Sequence, residues 1–190
     1  NLTMRQTQLR NAQVSNYINA KDSSRLDPAI NNILDAKYTV DSEVVTCRVP
    51  SLYKHLLIKV SARVVDTSPP GTLYQFGVRI NGDSGNNYSY QNTLAVSTTL
   101  TAALDSSESF MTIGRVSGDD ASSGIWYPCV SFIPNYQSAF YKTSLSFSGY
   151  GADIAYYGAS WANTSKIETL EFLAGSGIKT GSLVSVYGIR

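Results

Sequence analysis

The chain is short of charge. Asp, Glu, Lys and Arg make up 15% of its 190 residues, against about 25% in an average soluble domain. The basic residues are scattered and the formal net charge is only +1. No cationic field exists for phosphate backbones or anionic lipid, so no nucleic-acid partner is expected.

There is one histidine, His55. Zinc sites commonly need several His or Cys ligands, and neither an HExxH nor a paired CxxC pattern occurs. A Ser-His-Asp arrangement would have to use His55, which directly precedes the alternating run "LLIKV" and has no GxSxG partner. His55 therefore reads as a strand-edge residue. The two cysteines, Cys47 and Cys129, are too few for a disulfide framework. They read as small buried side chains, in keeping with assembly in a reducing compartment.

No apolar run approaches the ~20 residues of a membrane helix, and no signal-peptide core follows the first residues. Four glutamates are present: Glu43, Glu108, Glu168 and Glu171. The last two are an odd number apart, so on a strand they face opposite ways. Asp119 and Asp120 sit in a Gly/Ser turn. No acid pair for glycoside hydrolysis emerges. The expectation is a non-enzymatic protein with no catalytic residue, no cofactor and no metal site.

In place of charge stand Ser, Thr, Asn, Gly and 13 Tyr, with 43% apolar residues. A chain of this length can bury a core unaided. In so Ser/Thr/Asn-rich a sequence, the N-x-[ST] sequons at Asn1, Asn87 and Asn163 read as chance matches.

Residues 1–42 differ from the rest. Thr3 can cap a helix in which Val14, Tyr17 and Ile18 share a stripe. A second start signal is Asp27-Pro28, followed by Ile30, Ile33, Leu34 and Tyr38 at helical spacing. Two short helices are expected, forming an N-terminal arm over 1–42. Docking on its own domain and attachment to a neighbouring subunit both remain open.

From Val44 the period becomes two. "LLIKVSARVV" puts Leu56, Ile58, Val60, Ala62 and Val64 on one side, and "LYQFGVRI" does the same for Tyr74, Phe76, Val78 and Ile80. Further strands are expected at 87–103, 108–117, 125–133, 140–149, 152–160, 165–173 and 182–189, separated by Gly/Pro/Asn/Ser turns. The fold class is mainly β: an antiparallel, jelly-roll-like sandwich over 43–190. Its core is expected to add Trp126, Phe132, Leu145, Phe147, Trp161, Ile167, Leu170, Phe172, Val184 and Val186.

"INGDSGNNYSY", Ile80–Tyr90, offers oxygen ligands in Asn81, Asp83, Asn86 and Asn87. The spacing of a calcium loop and its distal Glu are missing, and one carboxylate is little charge for a divalent ion. A hairpin end is the better reading. Tyrosine suits both sheet faces and interfaces. Tyr88, Tyr90, Tyr150, Tyr156, Tyr157 and Trp161 are the candidate contact residues, within loops 81–90, 117–127 and 149–161.

The order of short stretches resembles a module of tailed-bacteriophage virion proteins. A strand leads into the hairpin Asn81-Gly82-Asp83-Ser84-Gly85-Asn86-Asn87-Tyr88. An "IP-NY" corner follows at Ile133–Tyr136, then the Lys-bearing strand "YKTSLSF". A Trp strand at Trp161 and the Ile167–Ile189 stretch close the module, with "GSLVSVYGIR" its most specific part. The resemblance spans residues 54–190 and covers tail fibres, receptor-binding tips, and head fibres or decoration proteins. It implies a virion structural role, a host-cytoplasmic assembly site and a homo-oligomer, commonly a trimer. Residues 1–42 would contact other virion proteins. A carbohydrate-binding module recognising a host-surface glycan is the alternative, and a glycan hydrolase a weaker one.

Overall fold

The computed structural model describes residues 30–41, 44–66, 72–119 and 126–190. Twelve strands are present among them: β1 Ile30–Lys37, β2 Val45–Arg48, β3 His55–Ala62, β4 Leu73–Ile80, β5 Tyr88–Val96, β6 Thr99–Glu108, β7 Met111–Ser117, β8 Tyr127–Ile133, β9 Lys142–Tyr150, β10 Asp153–Trp161, β11 Thr169–Ala174 and β12 Leu183–Ile189. Every pairing of these strands is antiparallel. The larger sheet runs β1-β12-β3-β8-β9-β10-β5-β6 and the smaller one β2-β11-β4-β7.

The chain is mainly β, as its alternation predicts, and the inward sets on β3 and β4 form the centre. Leu56, Ile58, Ala62 and Val64 are wholly buried, as are Phe76, Val78 and Ile80. Ile167, Leu170, Phe172, Val184, Val186 and Trp161 join them, whereas Tyr74, Trp126 and Phe132 are only half-buried. The two sheets share this core, and β7 packs across it on β8, β9 and β10.

Three expectations need correction. The segment holding Ile30, Ile33, Leu34 and Tyr38 is not a helix: Ile30–Lys37 is a strand paired with β12. Its register shifts between Asn32 and Leu34. That bulge turns Ile33 and Leu34 to the core in succession, between buried Asn31 and Tyr38. A period of two interrupted by one extra residue imitates a helical i, i+3, i+4 spacing. Among the described residues the larger sheet thus begins at Ile30, inside the arm expected over 1–42. The first expected helix lies outside the described residues, as do Asp27, Pro28 and Glu43.

The expected single strand over 87–103 is a hairpin, β5–β6. Its turn places Ser97 at φ 53°, a conformation normally signalled by Gly or Asn, so the sequence gives no warning of it.

The third correction is β9. Leu145 and Phe147 were expected in the core but are 70% and 52% exposed, while Ser144, Ser146 and Ser148 face inward and are buried. The sheets are too close here for large side chains. A Cβ on Gly114 of β7 would meet Cys129 Sγ at 2.6 Å and Ser148 Cβ at 3.2 Å. Ser148 Oγ accepts the Arg115 N–H at 3.1 Å from across the core. Ser146 and Ser131 share a hydroxyl hydrogen bond at 2.8 Å.

Candidate functional site

The hairpin end at Ile80–Tyr90 is built as a structural knot. Asp83 Oδ2 accepts the Trp161 indole N–H at 2.7 Å and the Asn87 amide at 3.0 Å, while Oδ1 accepts the Gly85 N–H at 2.9 Å. The Tyr88 hydroxyl donates to the Asp83 carbonyl at 3.0 Å and accepts the Ile80 N–H at 3.1 Å. Asn81, at φ 53°, accepts the Glu168 and Thr169 N–H groups through Oδ1. Asp83 is thus surrounded by donors, and a cation would need acceptors there. The Trp161 hydrogen bond holds its carboxyl below the usual range, with burial opposing and Gly85 and Asn87 adding to the effect.

Most of the sequence-predicted contact tyrosines are core residues. Tyr88, Tyr90, Tyr157 and Trp161 are buried. The rings of Tyr88 and Trp161 stack at 6.3 Å, and those of Tyr90 and Tyr157 lie 5.9 Å apart. The Tyr90 hydroxyl donates to Asp105 Oδ2 at 2.5 Å, and burial, the largest cause, pushes its pKa well up. Alternation pairs residues of like parity but does not say which set faces the second sheet. On β5 and β10 it is the ring-bearing set that faces it. Tyr156, 61% exposed, stays a surface residue. The side chain of Tyr150 lies outside the described set.

The acids of the sequence are dispersed. Glu171 accepts an Arg79 N–H at 3.1 Å. Asp119 pairs with Lys179, and its carbonyl accepts from the buried Arg63 at 2.6 Å. His55 Nδ1 accepts the Asn135 N–H at 3.1 Å, and its ring lies 5.4 Å from that of Phe132. No group of three or more His, Cys, Asp or Glu suited to a metal occurs among the described residues. Cys47 and Cys129 are free and buried, each pushed up to about 12 by burial.

Two surface features stand out instead. The first is the outer face of the larger sheet. One cross-strand row runs Leu104–Gln91–Gly158–Leu145–Phe132–Leu57–Tyr187. The adjacent row runs Ala102–Thr93–Tyr156–Phe147–Val130–Lys59. Leu104, Leu145, Phe147 and Tyr156 are exposed, and Ile154 and Leu100 continue the band in the next row. At the sheet edge β6 is exposed along almost its whole length.

The second is an open cleft of about 840 Å³ between the 51–54 and 134–141 segments, with Thr143 and Arg190 also lining it. Phe140 and Tyr141 stand exposed on its lip. Beneath them Lys142 is only 1% exposed, and its Nζ donates to the Phe140 carbonyl at 2.5 Å and the Thr164 carbonyl at 3.4 Å. Burial lowers this lysine's pKa. The Tyr136 hydroxyl donates to the Pro50 carbonyl, and the Tyr136 N–H to the Lys54 carbonyl at 3.2 Å, joining the two walls. The ring of Tyr53 lies on the backbone of Gly188, where a Cβ would come within 2.2 Å of it. Sequence reading passed over this site. Its one local signal was the adjacent pair Phe140-Tyr141 at a strand start, since alternation cannot bury two neighbouring rings on the same face.

No protein-family model matches the chain, and no curated protein matches it. Among solved structures it has a slight likeness to "lectin II from Ulex europaeus": 8% identity, 82% of this chain and 99% of that one covered, TM-score 0.18. Another is "lectin UEA-II complexed with galactose": 8% identity, 85% and 84% covered, TM-score 0.17. Likenesses this slight carry no argument about fold or function.

Proposed function

We propose that the chain is a non-enzymatic structural protein of a bacteriophage virion, a jelly-roll-like sandwich that assembles with further copies of itself through the outer face of its larger sheet. The observation that carries this reading is the apolar band from Leu104 to Phe147 and Tyr156, turned to solvent while serines line the interior behind it. Monomeric proteins rarely expose contiguous apolar patches beyond a few hundred Å². The six large side chains of this band are 49–70% exposed, the kind of patch from which a standard interface of roughly 800 Å² per partner is built.

The strand order supports the architecture. Without those of the β5–β6 and β9–β10 hairpins, the strands run β1-β12-β3-β8 in one sheet and β2-β11-β4-β7 in the other, the strand order of an eight-stranded double Greek key. The β5–β6 and β9–β10 hairpins extend one sheet beyond it. The virion assignment rests on the resemblance over residues 54–190, and the same reading gives the N-terminal residues contacts with other virion proteins. A closed symmetric oligomer is the form most self-associating chains take, and the resemblance favours a trimer.

Sedimentation equilibrium of the full chain should give an oligomer. Phe147→Glu combined with Tyr156→Glu should give a folded monomer with an unchanged far-ultraviolet circular dichroism spectrum. A monomeric wild-type chain at tens of micromolar would overturn the assembly reading. Its absence from purified, intact particles by mass spectrometry would overturn the virion assignment.

A further inference from the structure

The geometry points to a second, separate site: the cleft between the 51–54 and 134–141 segments binds a saccharide that carries an acid group. Three features converge there. Lys54 and Arg190 line the cleft, and among the described residues no Asp or Glu does. Two side-chain cations with no Asp or Glu among the lining residues suit a carboxylate or a phosphate. Phe140 and Tyr141 offer exposed ring faces beside them, and a sugar ring presents C–H faces that stack on such surfaces. Asn135 and Gln137 supply carboxamides for hydroxyl groups.

The site is held in place before any ligand arrives. Buried Lys142 fixes the carbonyl of Phe140, and Tyr136 links the two walls through Pro50 and Lys54. The Lys54 N–H donates to the Ile189 carbonyl at 2.8 Å, tying this wall to the strand that ends at Arg190. A rigid cleft loses little freedom on binding. Its volume falls within the roughly 300–1,000 Å³ of ligand pockets. A peptide partner would favour an unpaired strand edge or a deep apolar groove. The cleft offers instead an open bowl of rings, amides and cations. The cleft shares no lining residue with the apolar band of the outer sheet face.

Isothermal titration of the full chain with four probes tests it: a neutral oligosaccharide, a uronic-acid oligosaccharide, a phosphodiester-linked saccharide, and an oligo-glutamate peptide. At least one acidic saccharide should bind about tenfold or more tightly than the neutral one. Comparing the uronic-acid and phosphodiester arms identifies the acid group. Tyr141→Ala and the pair Lys54→Gln with Arg190→Gln should each weaken that binding roughly tenfold or more. Phe140→Ala serves as a second lip variant, and Tyr156→Ala, on the outer sheet face, should leave affinity unchanged. Equal affinity for acidic and neutral sugars would overturn the proposal. So would oligo-glutamate binding as tightly as the best saccharide, or full affinity in both folded lip variants.

Discussion

At the residue scale, Asp83 concentrates the chemistry of its hairpin. Its carboxyl joins Trp161, Asn87 and Gly85, so one side chain ties the hairpin end to the last residue of β10. A carboxyl held below its ordinary pKa stabilises the fold fully above that ordinary value, and the stabilisation is lost as pH falls through the folded value. The window therefore lies below about pH 4. Asp83→Asn keeps the shape but loses the charge on the indole hydrogen bond. It should cost about 1–2 kcal/mol at pH 7, the lower part of the range for a charged hydrogen bond because the loop is partly solvated. Urea unfolding at pH 7 and pH 3 checks this. The gap between wild type and variant should shrink at pH 3, and a constant gap would refute the assignment. Asn81, Asp83 and Asn87 looked like ligand oxygens in the sequence because residue type reveals donors and acceptors but not their partners. In the fold these side chains are occupied with backbone groups, the Trp161 indole and one another.

At the element scale, β9 and β10 show what alternation can and cannot tell. The period of two in "KTSLSFSGY" and "DIAYYGASW" is plain, and both segments are strands. Which set points inward is a matter of what stands opposite. Gly114 of β7 lies so close to Ser148 that even a Cβ on it would come within 3.2 Å of the serine Cβ, which leaves no room for a large inward side chain, and the larger side chains turn outward. Burying a large apolar side chain stabilises by about 1.5–3 kcal/mol, and Leu145 and Phe147 forgo much of that within a single chain. Leu145→Ser should therefore change the stability of the isolated chain by no more than about 0.5 kcal/mol. Ser148→Leu should destabilise by about 1–3 kcal/mol through overpacking, and more if the Arg115 N–H loses its acceptor. Denaturant melts of the two changes, each made in the monomeric Phe147→Glu/Tyr156→Glu background, check both outcomes, and a costlier Leu145→Ser there would reverse the inside–outside assignment. β1 teaches a related lesson. Its bulge gave a strand the spacing of a helix, and only the pairing with β12 tells the two apart.

At the scale of the whole molecule, the two buried thiols report on each sheet separately. Cys47 lies on β2 of the smaller sheet and Cys129 on β8 of the larger one. Both are pushed up to about 12 by burial, so the reactive thiolate is scarce at neutral pH. Neither should react with a thiol reagent in the native protein at pH 8. Because the sheets share one core, both should become reactive at the same denaturant concentration. Mass spectrometry of the labelled peptides checks this, and labelling of one cysteine well before the other would show that the sheets open independently.

The amino-acid sequence by itself determined that the chain is mainly β, that its strands are broken by Gly-, Asn- and Ser-rich turns, and that its interior is built from β3, β4, β11 and β12. Those properties reside in local period and side-chain size, which need no partner to be read. The tertiary structure alone decided which face of β9 and β10 is buried, that Ile30–Lys37 joins the larger sheet, and that Phe140, Tyr141, Lys54 and Arg190 meet at one cleft. Each of these depends on how closely distant segments approach. That distance is set by the volumes of side chains far apart in the chain, and no stretch of sequence contains it.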